Sequence, residues 1–494
     1  MRNFNESLQA KYPHLELAIL PLSQVNKDNE SKRIDSEYFK KEYLEKINLL
    51  SKISTKLENL MTSGYYGILP KSDDYLENGL SLVRGKDIRE FSLEISNLVK
   101  VPYDYFQERY QIHKNDILFL VKGATIGYED GVLFILEEPN KKMIFNGSVF
   151  KLQVKNINPA FLYVFMMTKY FTFQKVREVA NNGIEYNSLP TIKNFLIPQF
   201  SQDFQLEIQN LVQDSHKALE DSKRLYKEAQ ELLYKELELD FKNPLESLLK
   251  SSLQAKKASE TTNINDISKK YPHLNISVRP LSKSLHKSGR LDSEYYQSKY
   301  DTIERKIKDY QGGWGYVKTM FSHNNLTCNF LKDKYKYIEI GDINTSNGMA
   351  SFNEIRTNEL PANAKIILAK NDILISKVRP YRGAVAIIDF DIKDIIASSA
   401  FVVLRENGDF KKEVLQVLLR TTIYKEWLLK WNVGTSYPVI KDENILDLPI
   451  PKITPTVQEQ IALKIQKSFT LRAKSKDLLQ NAKIKLENAI EMAN

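Results

Sequence analysis

The chain has 494 residues, of which 42% are hydrophobic and 27% are charged, and its formal net charge is +9. These proportions are typical of a folded globular protein and exclude a disordered chain. No stretch approaches the 18 uncharged apolar residues of a membrane-spanning helix, and the first residues lack the apolar core of a signal peptide. With Cys328 as its single cysteine, the chain forms no intrachain disulfide, which predicts a cytoplasmic protein.

The first half of the chain predicts helices, then short strands, then a long helix. An amphipathic helix is predicted over Ser36–Leu50, after an Asp that is a suitable N-cap. Runs typical of strands and a second helical stretch follow: Ile117–Val121, Val132–Leu136, Val149–Val154 and Pro159–Val179. Gln205–Leu237 contains neither Gly nor Pro and predicts a helix about 50 Å long at 1.5 Å per residue.

The second half repeats this order of elements. Its predicted helix, strands and second helical stretch are Ser293–Ile307, Ile373–Ser376, Ala384–Ile388, Phe401–Leu404 and Phe410–Trp431. The closing stretch Gln458–Ala493 again lacks Gly and Pro and predicts a helix of about 54 Å.

Short phrases also recur in order between the halves. Arg33-Ile-Asp-Ser-Glu-Tyr-Phe39 returns as Arg290-Leu-Asp-Ser-Glu-Tyr-Tyr296, and Lys114-Asn-Asp-Ile-Leu118 returns unchanged as Lys370-Asn-Asp-Ile-Leu374. Gly183 and Gly434 precede matching Ile-Pro runs. The repeat is far longer than the 20–50 residues of a solenoid repeat, so it indicates duplication of a whole domain. An Arg–Asp pair beside aromatic residues favours a structural role for the first phrase over contact with a ligand.

The two long helices are predicted to pair through similar stripes. Their positions at 3-4 spacing are Ile208, Val212, Ser215, Leu219, Ser222, Tyr226, Ala229 and Leu233 in the first, and Ile461, Ile465, Ser468, Ser475, Leu478, Ala482, Leu486 and Ala489 in the second. Small Ser and Ala side chains permit close approach, as in an antiparallel coiled-coil-like seam.

These patterns predict an α+β protein with pseudo-two-fold symmetry, in which two long antiparallel helices separate two homologous globular domains. The predicted segments are a first domain (1–200), a first long helix (201–242), a linker (243–269), a second domain (270–454) and a second long helix (455–494).

Motifs for catalysis, cofactors and metals are missing from the sequence. The run from Gly79 to Asp87 lacks the spacing of a phosphate-binding loop, and no Gly-x-Gly-x-x-Gly loop occurs. The six histidines show no metal-ligand spacing. We therefore expect a protein that is non-catalytic by itself, without cofactor or metal.

Several of these features together resemble a known family. They are the two-fold repeat, the Lys-Asn-Asp-Ile-Leu strand, the turn Ser376-Lys-Val-Arg-Pro-Tyr-Arg-Gly383, and the run from Leu448-Pro-Ile-Pro451 through Gln458-Glu-Gln-Ile461 into a long helix. In this order they are similar to the specificity (S) subunit of type I restriction–modification systems. The first half departs from the pattern, because Val121-Lys-Gly-Ala-Thr-Ile-Gly127 replaces the Arg-Pro-Tyr-Arg turn and Ser201–Gln205 replaces Thr456–Gln460.

The resemblance implies a protein that reads double-stranded DNA and performs no chemistry. Each globular domain would be a target recognition domain for one half of a split sequence. The long helices would dock two DNA adenine methyltransferase subunits, and a restriction/translocase subunit would join them. Physical reasoning agrees: two homologous domains on antiparallel helices match the symmetry of the duplex backbone, and their divergence predicts an asymmetric target. The helices would then set the length of the unread spacer.

Charge and position indicate the candidate DNA contacts. In the second domain these are Lys377, Arg379, Tyr381 and Arg382, since Arg suits guanine readout and Lys suits phosphate. The first domain offers Arg84, Lys86 and Lys122, and Tyr186 and Tyr437 follow the repeated glycines. Solvated basic loops, or tyrosines that only pack, are the alternative for each.

Three alternative functions remain open from the sequence. One is a coiled-coil assembly scaffold without sequence readout, although divergence of loops on a retained frame argues against it. The second is the specificity subunit of a related methyltransferase-only or type II-like system. The third is a nuclease or methyltransferase with unrecognised motifs.

Overall fold

A computed structural model describes residues 2–17, 19–26, 29, 32–88, 93, 95, 98–123, 126–179, 186–250, 281–282, 284, 289–408, 410–433 and 437–493. The chain forms two compact units, of which the first is Met1–Leu219 with Ala473–Asn494 and the second is Glu220–Arg472. Each unit therefore contains one globular half and a part of each long helix. The glycines Gly183 and Gly434, and most of the predicted linker 243–269, lie outside the described residues.

The first unit contains nine strands among the described residues: β1 (Ser54–Lys56), β2 (Met61–Tyr66), β3 (Leu80–Val83), β4 (Val99–Val101), β5 (Ile117–Leu120), β6 (Val132–Phe134), β7 (Met143–Phe145), β8 (Val149–Val154) and β9 (Leu196–Pro198). Its helices are Arg2–Lys11, Leu22–Val25, Lys41–Ser51, Pro159–Met166, Lys169–Arg177, Leu189–Asn194 and the start of the first long helix, Gln202–Glu236. Strand order is β2-β8-β5-β6 in an antiparallel sheet and β4-β3-β7 in a mixed one, while β1 pairs with β9. The three strands predicted for this half are confirmed, with ends trimmed by at most two residues.

The second unit repeats this topology. Its strands are β10 (Trp314–Tyr316), β11 (Phe321–His323), β12 (Lys334–Ile338), β13 (Asn353–Arg356), β14 (Ala364–Ile367), β15 (Ile373–Ser376), β16 (Val385–Ile387), β17 (Ile395–Ser398), β18 (Phe401–Glu406) and β19 (Pro449–Pro451). Its helices are Ser298–Lys308, Val317–Met320, Lys412–Leu419, Thr422–Leu428, Asp442–Leu446 and the start of the second long helix, Pro455–Met492. The orders β11-β18-β15-β16, β13-β12-β17-β14 and β10-β19 match those of the first unit, with β14 added. Duplication of a whole domain is thus visible in the fold.

Two predicted helices begin later than expected, and two are divided. The carboxylate of Asp35 accepts a hydrogen bond from the Tyr38 amide at 3.2 Å and caps a turn, so the helix begins only at Lys41. The same occurs at Asp292. Both predicted second stretches break at a threonine, Thr168 or Thr421, whose hydroxyl donates to the carbonyl three residues earlier at 2.7 Å.

The arginine of the recurring Arg-x-Asp phrase binds a distant backbone carbonyl in each unit. Arg33 forms a two-pronged ion pair with Asp35 and also donates to the carbonyl of Val179 at 2.7 Å. Hydrogen bonding from Arg33 lowers the pKa of the Asp35 carboxyl. Arg290 pairs with Asp292 in the same way. The predicted Arg–Asp pair is confirmed, and its contacts are structural.

The Lys-Asn-Asp-Ile-Leu phrase forms a turn that leads into a buried strand. Its Asn is left-handed in both copies, with φ of 67° at Asn115 and 76° at Asn371. The following Asp is fully buried in both. Asp372 accepts two hydrogen bonds from Arg405, at 2.7 and 2.9 Å. Because a buried carboxylate needs such partners, the phrase recurs for structural reasons.

The two long helices pair antiparallel within each unit. In the first unit the hydroxyl of Ser215 lies 2.9 Å from that of Ser475, and Glu207 pairs with Lys485. In the second unit Ser222 and Ser468 make the same contact at 2.9 Å. All eight residues of the first predicted stripe are buried, which confirms it. Small polar layers of this kind fix the register of paired helices.

The second stripe was partly wrong. Leu479 and Ile490 are buried, whereas Leu478 and Ala489 are only half-buried. The 3-4 repeat passes through Arg472, which is 7% exposed and which the predicted stripe did not include. Ser475, Ala482 and Leu486 are buried as predicted, so only two positions of the stripe beyond Arg472 are displaced by one residue.

Candidate nucleic-acid interface

Loops of different strands converge at one edge of each unit. In the first unit β3 and β7 are parallel, so their carboxyl ends lie side by side. The turn after β7 also contacts the turn after β5, where the Val121 amide donates to Ser148 at 3.1 Å. We define the first loop edge as the turns 84–87, 146–148, 121–123 and 186–189. In the second unit the equivalent hydrogen bond runs from the Lys377 amide to the Ala400 carbonyl at 2.9 Å. The second loop edge therefore comprises the turns 339–342, 398–400, 377–383 and 437–440.

The first loop edge encloses an apolar groove of about 520 Å³. Its lining residues are Tyr66, Gly67, Leu69, Val121, Lys122, Gly147, Tyr186, Ser188 and Leu189. Leu69 projects into solvent with 74% of its surface exposed. A side chain at Gly67 would lie 2.2 Å from the Phe145 carbonyl, so glycine permits this close approach. Lys122 and Tyr186, two of the predicted DNA contacts, therefore lie together at this groove.

The second loop edge is basic and aromatic. The Arg379 guanidinium stacks over the Tyr437 ring at 4.5 Å. Arg379 itself is left-handed, with φ 49° and ψ 53°, and it begins the short turn Pro380–Arg382. Tyr381 and Arg382 are exposed on that turn. Four of the predicted residues therefore lie at this edge.

Two predicted contacts are already engaged within the protein. Lys377 donates to the Asp442 carboxylate at 2.7 Å, and its side chain is largely buried. Arg84 makes two hydrogen bonds to Asp87, at 2.9 and 3.1 Å. Lys86, on the same turn as Arg84, is exposed. These ion pairs favour a role in shaping the edge for Lys377 and Arg84, whereas Lys86 is accessible to a ligand.

The two repeated tyrosines do not occupy equivalent positions. Tyr186 forms an isolated β-bridge with Lys122, and the matching bridge in the second unit joins Val378 to Val439. Tyr437 lies two residues before that bridge. The alignment by neighbouring glycines is therefore wrong in detail, because the intervening loops differ in length.

The register also identifies residues that sequence reasoning missed. Gly123, with φ 95°, is equivalent to Arg379, since each follows the bridged residue. Arg84 and Lys86 correspond to Glu339 and Gly341, because both turns carry the same Asp cap. Leu69 was missed as well. Its only signal in the sequence is an apolar run between a glycine and a proline.

Within the described part of the chain, no group of three or more His, Cys, Asp or Glu side chains is arranged to hold a metal ion. None of the helices described is both long enough and apolar enough to span a lipid bilayer.

Comparison with known proteins gives consistent matches. The family model for the type I restriction modification DNA specificity domain matches residues 317–486. The MjaVIII specificity subunit of Methanocaldococcus jannaschii, a type I restriction enzyme subunit, is 22% identical over 445 residues, covering 86% of this chain and 85% of that protein. The HindI specificity subunit of Haemophilus influenzae is 29% identical over 161 residues, which are 29% of this chain and 32% of that one.

Solved structures also match most of the length of the chain. The S subunit of a type I system from M. genitalium has a TM-score of 0.40 at 11% identity, covering 89% of this chain and 95% of its own. The HsdS subunit from Thermoanaerobacter tengcongensis has a TM-score of 0.28 at 13% identity, covering 88% and 96%.

Proposed function

This chain belongs to the family of type I restriction–modification specificity subunits, and we propose that it reads a bipartite sequence in double-stranded DNA. Each loop edge reads one half of the target. The protein is non-catalytic by itself, needs no cofactor or metal, and acts in the cytoplasm. Its long helices dock two DNA adenine methyltransferase subunits, with a restriction/translocase subunit joining the assembly. The first recognition domain comprises residues 1–200 and the second comprises residues 270–454.

One observation carries the proposal: the buried frame of the two units is repeated while the loop edges differ in chemistry. Asp116 and Asp372 keep the same burial and the same turn. At the edges, however, Gly123 of the first unit corresponds to Arg379 of the second, and Lys86 corresponds to Gly341. A scaffold requires only the frame, whereas a reader of two different half-sites requires this divergence.

The chemistry of each edge suits part of the task. Arg379 and Arg382 offer planar donors for the bidentate contact that distinguishes guanine in the major groove. Lys86 and Lys122 offer point charges for phosphate, which position the protein without reading sequence. The apolar groove beside Leu69 suits contact with a thymine methyl group.

Reconstitution tests the proposal. The purified chain alone should transfer no methyl group, and the matching methyltransferase subunit alone should show no specific methylation. Mixed, they should methylate adenine at one bipartite sequence. Binding should weaken by about one log unit per log unit of salt for each phosphate neutralised. Methyl transfer or DNA cleavage by the isolated chain would contradict the non-catalytic assignment.

Two substitutions separate reading from positioning. Arg382→Ala should reduce discrimination at one half-site by about 1–3 kcal/mol and leave the other half-site unchanged. Lys86→Ala should weaken binding to all sequences alike and lower the salt slope by about one. If Arg382→Ala weakens both half-sites equally, the second loop edge does not read bases directly.

A further inference from the structure

The segment Ile126–Gly131 connects the first loop edge to strand β6 and is held from two sides. On its inner side the ammonium of Lys175 lies 3.4 Å from the Tyr128 carbonyl. Lys175 has no exposed surface. The Ile126 amide donates to the Gly123 carbonyl at 3.0 Å, which joins the segment to the loop edge next to Lys122. Movement of the segment would therefore move Lys122.

On its outer side the segment is held by the second long helix. Glu129 forms an ion pair with Lys483, and both residues belong to the first unit. The Lys483 side chain is only 18% exposed, so its ammonium is partly shielded from water. Shielding strengthens such a pair relative to one on an open surface. A residue near the end of the chain thus contacts the connection that carries a candidate DNA contact.

The second unit does not use this arrangement. The connection between β5 and β6 comprises eleven residues, 121–131, whereas that between β15 and β16 comprises eight, 377–384. The shorter connection is held within its own globular half by the Lys377–Asp442 ion pair. The longer connection therefore has an additional contact, the ion pair between Glu129 and Lys483 of the second long helix.

We propose that Lys483 is a positioning residue for base discrimination at the first half-site. Through Glu129 it fixes segment 126–131, and through that segment it fixes the backbone at Val121 and Lys122, which lines the apolar groove proposed to contact a thymine methyl group. The proposal rests on the proposed function, because it assumes that the first loop edge reads DNA. It extends that function by assigning part of the first half-site's specificity to the second long helix.

The test uses Lys483→Met in the complete assembly with its methyltransferase. Methylation of the cognate duplex is compared with duplexes that carry one changed base pair in either half-site. We expect discrimination to fall roughly two- to fivefold at the first half-site, the range of a partly exposed ion pair, and to stay unchanged at the second. Lys485→Met is the matched control, because Lys485 lies on the same helix but pairs with Glu207 of the other long helix.

Charge reversal supplies the decisive comparison. Glu129→Lys alone should lower discrimination at the first half-site, and the double variant Glu129→Lys/Lys483→Glu should restore it. Unchanged discrimination in Lys483→Met, equal loss at both half-sites, or failure of the double variant to restore it would each overturn the proposal. If the unmodified assembly discriminates no base, the proposed function fails instead. Amide exchange of Gly131 in the free protein then still tests the anchor: faster exchange in Lys483→Met than in Lys485→Met supports it, and equal exchange overturns it.

Discussion

Arg379 occupies a backbone position that favours glycine, and this makes its side chain a sharp test of function. Its φ of 49° lies in the left-handed region, where an ordinary side chain costs about 1–2 kcal/mol. The equivalent residue of the first unit is Gly123, with φ 95°. An arginine held in this strained conformation is consistent with the proposed use of its guanidinium in DNA contact. We therefore compare Arg379→Gly with Arg379→Ala.

The two variants should differ in stability. Arg379→Gly relieves the strain, which stabilises the folded state by about 1–2 kcal/mol. It also loses the stacking on Tyr437, worth about 0.5–1 kcal/mol, and the greater entropy of glycine in the unfolded chain destabilises the folded state by a similar amount. Its unfolding free energy should stay within about 1 kcal/mol of the parent. Arg379→Ala keeps the strain and loses the stacking, so we expect it to be less stable than Arg379→Gly by about 1 kcal/mol.

The two variants should nevertheless read DNA equally poorly. Both lack the guanidinium, so each should lose about 1–3 kcal/mol of discrimination at the second half-site. Denaturant unfolding measures the first quantity, and competition binding with duplexes changed at single base pairs measures the second. An Arg379→Gly variant that discriminates like the parent would refute the reasoning, as would one less stable than Arg379→Ala.

Three further predictions follow from the buried frame and the long helices. Arg405→Met, which removes the ion pair of buried Asp372 and leaves its hydrogen bonds from Asn324 and Ala369, should lower the unfolding free energy by about 2 kcal/mol, and unaltered base discrimination should accompany the loss; altered discrimination would show that the pair is not purely structural. Burial lowers the pKa of Lys175 from 10.5 to about 8, so below pH 8 both folded and unfolded states bind the proton and the folded state bears the full penalty. Stability should therefore rise between pH 8 and 10.5, and Lys175→Met should be more stable at pH 7 by about 2–3 kcal/mol and lack that rise, as urea unfolding at several pH values would show. One heptad inserted between the two seam serines of each long helix lengthens each helix by about 10 Å, so the spacer in the methylated sequence should grow by about one to three base pairs; an unchanged spacer with activity retained would mean that the helices do not set it.

Local patterns were sufficient to predict both long helices and three of the nine described strands of the first unit. The strand Val149–Val154 was predicted with its observed bounds, because alternation and neighbouring turn residues act over a few positions. The stripe of the first long helix was predicted correctly because no charged residue occupies any of its positions. Arg472 shows the opposite case: a buried arginine looks like a surface residue, and its place in the stripe was not predicted.

The candidate site depended on contacts that spacing does not reveal. Lys377 was predicted to face DNA, yet its partner Asp442 lies 65 positions away and nothing near Lys377 indicates it. The hydrogen-bond register that equates Tyr186 with Val439 likewise depends on loop lengths. Which loops converge at an edge follows from strand order, and strand order was visible only in the structure.

The discontinuity of the first unit has a consequence for how the protein is made. Its core includes Leu479, Leu486 and Ile490, which are synthesised about 250 residues after Leu219. At 5–20 residues per second, the ribosome needs roughly 12–50 s to bridge that gap. The second unit is contiguous, so it can complete its own fold while the half that emerged first still exposes apolar surface. A truncation that removes the second long helix would therefore damage the unit formed by the first half of the chain.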